Sequence, residues 1–523
     1  MQRDQTMFIF HRLIPALVVA MLAACAQLPE RPKLATTNAL SSNADTTLGR
    51  IATQNLGGTD KSGFQLMPVA SNAYATRIAL CDKAEKTLDV QYYLLAADNS
   101  GKVLLRCLKR AAGRGVRVRV LIDDYYTPGE DALLLAFAAT PNVEVRLFNP
   151  FPAWRSSSLG RFVAAAFDFG RVDHRMHNKL FLADNAMAVA GGRNMADEYF
   201  MRAKGNNFVD MDIMAVGPIV TQLSAIFDVY WNSEYVYPLQ SIVSNTLSTQ
   251  EEGAEFDRLV DSASGPIIED QLDPRLAPFL GTPEDLDRGK LKLIFAPARA
   301  YADPVDKVEG RYAANREGTV RAQVAIAMRA ANHSVTVLSP YFVPGPLGME
   351  AMQGLSQRGV KLTLITNSLA STDEPFAHGA YTESRLPMLR LGVTIYEISP
   401  ELTRKSERLG QFGDSYGRLH AKVAIIDHRK LFIGSMNLDE RSERLNTELG
   451  LFIDSPELVS QFEARSALLD GAYRLELAPN GDSIRWVGRN GPDRVVLETE
   501  PETDWWLRLK VRLLSGLVPP SEL

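Results

Sequence analysis

Arg175-Met176-His177-Asn178-Lys179-Leu180-Phe181-Leu182-Ala183-Asp184 and Leu419-His420-Ala421-Lys422-Val423-Ala424-Ile425-Ile426-Asp427 are two copies of one pattern, set 243 positions apart. Each has a His, a Lys two residues on, an apolar run and an Asp. In an extended chain, residues two apart point to the same side. Each His therefore projects with its Lys, and the apolar run that follows reads as a strand entering a sheet. Seven residues after each Asp comes Gly191-Gly192-Arg193-Asn194 or Gly434-Ser435-Met436-Asn437. Small residues at Gly192 and Ser435 let backbone N–H groups approach an anion, and Asn194 and Asn437 add amide donors. The chain has seven histidines, so one chance match to the pattern is expected in on the order of one in a hundred such sequences. Two matches with the same sequel at one repeat distance are not coincidence.

The repeat extends beyond the motifs. The run Leu88–Tyr93 reads as a strand, Gly101–Ala112 as a helix, and Arg114-Gly115-Val116 opens a second strand to Ile122. The same order recurs as Ser334–Leu338, Leu347–Gln357 and Arg358-Gly359-Val360 leading to Ile365, with the Arg-Gly-Val signposts 244 positions apart. A third strand pair follows, Val143–Phe148 and Gly392–Glu397. Alternating strands and helices predict an α/β fold, here two similar α/β/α sandwich halves forming a pseudo-dimer, with a small C-terminal β meander and tail. The expected divisions are 1–25 signal peptide, 26–60 flexible tether, 61–250 first half, 251–290 connection, 291–472 second half and 473–523 meander with an amphipathic tail.

Apolar residues make up 46% and charged residues 23%, an ordinary globular balance. The net charge of -5 speaks against a non-specific nucleic-acid binder, which needs a basic surface to displace phosphate counterions. Arg3, His11 and Arg12 precede a short apolar run, and Leu22-Ala23-Ala24-Cys25 has the form of a lipobox, with Cys25 as the lipidated residue. The expectation is a bacterial membrane-associated lipoprotein facing the periplasm. Ala26-Gln27, without an Asp, leans towards outer-membrane sorting. Cys81 and Cys107 fall in helical patterns and read as small buried residues, with no spacing that marks a disulfide or metal site. The stretch Phe151–Phe169 mixes Phe151, Trp154, Phe162, Phe167 and Phe169 with Arg155 and Arg161, and Trp505–Leu514 mixes bulky apolar and cationic residues. Both read either as membrane-interface segments or as core.

A His near neutral pH serves as nucleophile or acid/base, and a Lys as a point charge for a phosphate oxygen. With both motifs intact, the sequence resembles the phospholipase D superfamily, in which two such motifs meet across one site. Gly434 to Ser442, with Asn446-Thr447-Glu448 and Asp303-Pro304…Lys307, is similar to bacterial C-type cardiolipin synthases. The resemblance implies a catalytic set of His177, Lys179, Asp184, His420, Lys422 and Asp427, with His177 as nucleophile and His420 as acid/base. It implies no metal and no cofactor. Asp184 and Asp427 are expected to tie sheet to helix. The imidazole-orienting carboxylates are expected at Asp210 and Glu448, with Asp212 the competitor for Asp210. The implied substrates are phospholipids at a membrane surface, phosphatidylglycerol and a second lipid. Hydrolysis to phosphatidic acid remains the alternative, because water and alcohols compete for one intermediate. Nuclease activity is disfavoured by the acidic chain and lipid tether. Two halves complete one site, so no partner chain is required.

Overall fold

A computed structural model of the chain describes residues 28–41, 43–164, 168–243, 249–265, 274–310, 316–405, 414–464, 467–490 and 493–515. Cys25 and Phe167 lie outside the described residues, as does the Phe162 side chain. Among them run two large sheets. The first has the strand order Ile294–Ala296, Ser62–Met67, Asp212–Val216, Met187–Gly191, Leu180–Ala183, Thr87–Tyr92, Arg117–Asp123, Val143–Phe148, Val236–Pro238. The second runs Ala298–Ala302, Leu449–Asp454, Lys430–Gly434, Val423–Ile426, Ser334–Leu338, Lys361–Asn367, Thr394–Ile398, Ala472–Leu477, then Ile484–Asn490 and Asp493–Leu497. From Ser62–Met67 and from Ala298–Ala302 onward, eight strands follow the same order. In each half the three strands of the alternating unit pair parallel, and their neighbours pair antiparallel.

Strand periodicity separates the layers. Leu180 and Leu182 face a core that both halves share, whereas Phe181 and Ala183 face the outer helices of the first half. The shared core joins Phe64, Leu180, Ile213 and Trp231 of one half to Leu338, Ile425, Ile433 and Leu451 of the other, so the pseudo-dimer interface is interior. The outer helix Asn99–Gly113 buries Leu104, Leu105, Leu108, Ala111 and Ala112 along one stripe, and the Asp98 carboxylate caps its start by accepting from Gly101 N–H.

Three boundaries and the reading of two cysteines differ from the sequence expectation. The supposed tether packs on the first half. Arg31 donates to the Ser233 and Val236 carbonyls, Ala39 N–H donates to Asp228, and Trp231 Nε1 donates to Thr37 Oγ1. Thr47–Leu56 then forms a helix. Its Ser/Thr/Asn composition resembles a linker, but extended backbone supplies partners to Arg119 and Asn232 whatever its side chains. The supposed connection belongs to the first half: Thr282 accepts from Gln65 and Asn72, and Ile294–Ala296 joins the first sheet. The meander is not separate, since Ala472–Leu477 pairs with Thr394–Ile398 and extends the second sheet. Finally, Cys81 and Cys107 are buried as expected, but they form a disulfide between Ala70–Lys83 and Asn99–Gly113 (Cα–Cα 6.3 Å). Helix packing, not spacing, brings them together. The C-terminal helix Trp505–Ser515 divides its faces, with Val511 buried and Trp505, Trp506 and Leu513 exposed.

Asp184 and Asp427 occupy hairpin turns at positive φ (52° and 54°), a conformation that Asp tolerates. Asp184 accepts from the N–H groups of Glu85, Lys86 and Thr87, and Asp427 from those of Asn332, His333 and Ser334. Each fastens the turn from helix to strand beside its motif. Asp184→Ala leaves three N–H groups without their carboxylate and is expected to lower unfolding stability by about 2 kcal/mol or more. Asp184→Asn should lose less. Urea denaturation of the two variants checks this.

Candidate active site

Two crossed contacts between the halves place the motifs. Strand Tyr416–Leu419 of the second half pairs parallel with Asn206–Val209 of the first. The chain then enters His420, whose N–H donates to the Val209 carbonyl (2.9 Å). The reciprocal contact is a bridge between Met176 and Thr447. His177 N–H donates to Thr447 O (2.9 Å), and Thr447 N–H to Arg175 O (2.8 Å). At each point the residue after the partner is a carboxylate, Asp210 after Val209 and Glu448 after Thr447. The imidazole–carboxylate pairs therefore cross between the halves. His177 Nδ1 lies 3.0 Å from Glu448 Oε2, and His420 Nδ1 lies 2.7 Å from Asp210 Oδ2. A carboxylate at Nδ1 holds the proton there and leaves the Nε2 lone pair as the reactive atom.

Lys179 and Lys422 reach the same place. Lys179 Nζ donates to the His177 carbonyl (2.6 Å) and Lys422 Nζ to the His420 carbonyl (2.7 Å), and both side chains are buried. Tyr93 packs edge-on against His177 and Tyr199 edge-on against His420, with the Phe208 ring tilted against His420. The two imidazoles open on a cleft of about 440 Å3, lined also by Asn194, Asn437 and Asn446. The Oδ1 atoms of Asn437 and Asn446 are buried without a hydrogen-bond partner among the described residues. A separate apolar groove between Val320–Arg329 and Gly345–Gln357 contains none of these residues.

Burial, then the positive charge of Lys179 and Lys422, holds His177 well below the usual imidazole range. Burial and then Lys422 lower His420 to about 4, with Asp210 opposing. Burial also lowers both lysines, Lys422 to about 8. The carboxylates diverge. Burial raises Glu448 to about 7 against Lys179 and the Ser435 hydroxyl. Burial would raise Asp210 too, but the His420 ring, Lys422 and Arg193 outweigh it and hold Asp210 at about 2. Among the described residues, no cluster of three or more His, Cys, Asp or Glu side chains is arranged to hold a metal. The arrangement suits in-line displacement at an anionic centre, with one imidazole on either side and two ammonium groups for the oxygens.

The cardiolipin synthase, PLD-like domain family matches residues 78–231 and 324–467, one copy per half. The chain belongs to this family. It is 38% identical over 456 residues to cardiolipin synthase C of Escherichia coli K12, covering 85% of this chain and 93% of that protein. It is 25% identical over 385 residues to cardiolipin synthase A of Pseudomonas syringae, covering 73% of this chain and 63% of that one. Among solved structures, the crystal structure of phosphatidylserine synthase from Haemophilus influenzae matches with a TM-score of 0.55 at 14% identity, covering 90% of this chain and 97% of that one. That likeness shows the fold.

Within this family architecture the sequence-predicted residues divide into three groups. His177, Lys179, His420, Lys422, Asp210 and Glu448 converge, and Asn194 and Asn437 line the cleft. Asp184 and Asp427 stay behind in their turns, and Asp212 pairs instead with Arg77 and Arg193. Gly192 and Ser435 differ from expectation. Their N–H groups donate to Met211 O and Leu449 O within the sheet rather than facing the cleft. Gly192 instead makes room, since a Cβ there would lie 2.1 Å from Asp210 Oδ1, and Ser435 Oγ donates to Glu448 (2.5 Å). Sequence reasoning had placed no role on Asn446, Tyr93 or Tyr199, which reach the site only through tertiary packing.

Behind Glu448 lies the buried pair Lys307–Asp303 (2.6 Å). Asp303 N–H donates to Glu448 O, and Asp303 Oδ2 accepts from Glu448 N–H. Lys307 helps keep Glu448 ionised. Since ionised Glu448 supports His177, turnover should rise as pH increases through about 7. Glu448→Gln should abolish that limb and lower kcat on the order of 10^3-fold. Lys307→Met should move the limb to higher pH, and Lys307→Arg should keep it in place. The pH profiles of kcat measure all three.

Proposed function

We propose that the chain is a phosphatidyltransferase that moves the phosphatidyl group of a second phospholipid onto the headgroup hydroxyl of phosphatidylglycerol, releasing the donor's headgroup alcohol and forming cardiolipin. The observation that carries this reading is the pair of crossed imidazole–carboxylate contacts within a chain 38% identical to cardiolipin synthase C of Escherichia coli. His177 attacks phosphorus and becomes a phosphohistidine, while His420 protonates the departing alcohol. His420 then takes the acceptor's proton, and the acceptor alkoxide displaces His177.

The nucleophile role of His177 follows the resemblance to the phospholipase D superfamily. Ionised Glu448 holds the His177 proton on Nδ1 and leaves Nε2 free to attack, and ionised Asp210 favours the imidazolium that an acid requires. An anionic phosphodiester entering between Lys179 and Lys422 offsets their repulsion and makes protonation of His420 easier. Asn194 and Asn437 add neutral donors for phosphate oxygens. Hydrolysis uses the same intermediate with water as acceptor. Aromatic rings packed on both imidazoles, half-buried Tyr93 and buried Tyr199, favour the alcohol, because they limit water beside the intermediate.

The chain is read as a lipoprotein anchored through Cys25 and facing the periplasm. The disulfide Cys81–Cys107 supports an oxidising compartment. No described helix is long and apolar enough to cross a membrane.

Incubation with phosphatidylglycerol vesicles should yield cardiolipin by mass spectrometry, and both His177→Ala and His420→Asn should lower turnover by roughly 10^3-fold or more. Phosphatidic acid as the sole product would replace transfer by hydrolysis. Full turnover in either variant would refute the mechanism. Cys25→Ala should move the protein out of the membrane fraction, and an unchanged distribution would refute the anchor.

A further inference from the structure

The segment between strand Val143–Phe148 and the first motif has its polarity inverted. Two of its arginines, Arg155 and Arg161, are buried. Arg155 donates to both oxygens of Asp124 (2.5 and 2.7 Å) and to Asp131 (2.9 Å). Arg161 donates to the Asp124 carbonyl and to Thr127 Oγ1 (3.0 Å). Phe151 and Val172 pack inward, but four of its apolar side chains face out: Leu159 is 77% exposed, Val163 51%, Phe169 48% and Trp154 45%. A segment made only to face water would be arranged the other way, because guanidinium hydrates readily and aliphatic groups gain from burial.

Three of the exposed residues lie together on one short stretch. Leu159 and Val163 are four apart on helix Ser158–Ala164 and share one face. Trp154 packs against the same helix, since a Cβ at Gly160 would lie 2.9 Å from its carbonyl oxygen and 3.0 Å from its Cβ. The buried arginines fasten this stretch to Asp124–Thr127, and Tyr125 and Tyr126, within that turn, line the catalytic cleft, as does Phe169. The stretch therefore lies at the cleft mouth.

We infer that Trp154, Leu159, Val163 and Phe169 form a bilayer-docking surface through which the cleft receives phospholipid directly from the membrane interface. This rests on the phospholipid reading of the site. A bilayer fits this surface better than a protein does. A protein seated on Phe169 and Tyr126 would cover the cleft mouth, whereas a bilayer presents the substrate there. Drawing a long-chain lipid through water would expose its hydrocarbon, and an apolar rim set in the interface avoids that exposure. Trp suits the position, with an apolar body and a polar N–H.

The test compares the full-length protein with its Leu159→Ser/Val163→Ser variant on two substrates, phosphatidylglycerol in large vesicles and dihexanoyl phosphatidylglycerol dissolved as monomers. Turnover is read rather than binding, because an acyl anchor at Cys25 would hold either protein on vesicles. The double variant should lose about 10-fold or more on vesicles and stay within about twofold of the parent on monomers, which do not need the surface. Unchanged turnover on vesicles, or an equal fall on both substrates, overturns the docking surface. A parent protein that turns over neither lipid overturns the phospholipid reading, and the surface with it.

Discussion

The exchange of carboxylates between the halves is the constraint on which the rest depends. Each imidazole is oriented by a side chain from the other half, His177 by Glu448 and His420 by Asp210. Neither half alone has a completed pair. The shared core follows from this, because a site that spans two sheets holds its geometry only if the sheets are fixed by interior-quality packing. The strand pairing of Tyr416–Leu419 with Asn206–Val209 sets the register, and with it the position of both carboxylates.

The same constraint explains the electrostatics. Two lysines and two imidazoles are buried beside two orienting carboxylates. Burial lowers all four basic groups, and neighbouring lysines lower His177, His420 and Lys179 further, whereas an anion between the lysines relieves that field. Preorganised charge of this kind needs no rearrangement at the moment of reaction. The two halves then differ in what stands behind each carboxylate. Arg193 donates to the Asp210 carbonyl, and the Lys307–Asp303 pair grips the backbone of Glu448. One repeat, modified behind its carboxylates, yields a raised Glu448 and a lowered Asp210.

The exposed apolar stretch has a similar logic. The first half carries exposed Leu159, Val163 and Trp154 on a segment held in place by buried Arg155 and Arg161. The guanidinium charges of that stretch are paired inside the protein.

The sequence by itself determined the repeat, the strands and helices of the alternating unit, and the paired His and Lys residues. These are legible because strand and helix periods and a doubled motif are local patterns, and local sterics and burial set them. Asp210 and Glu448 were reached by family resemblance, but their crossing was not, since it depends on the parallel pairing of segments far apart in sequence. The packing of residues 28–41, the disulfide between Cys81 and Cys107, and the roles of Gly192 and Ser435 were decided only by tertiary structure. The mixture of aromatic and basic residues at Phe151–Phe169 was equally ambiguous as sequence. Which side of that segment faces in depends on where Asp124 and Asp131 stand to receive its arginines, and that is a property of the folded sheet.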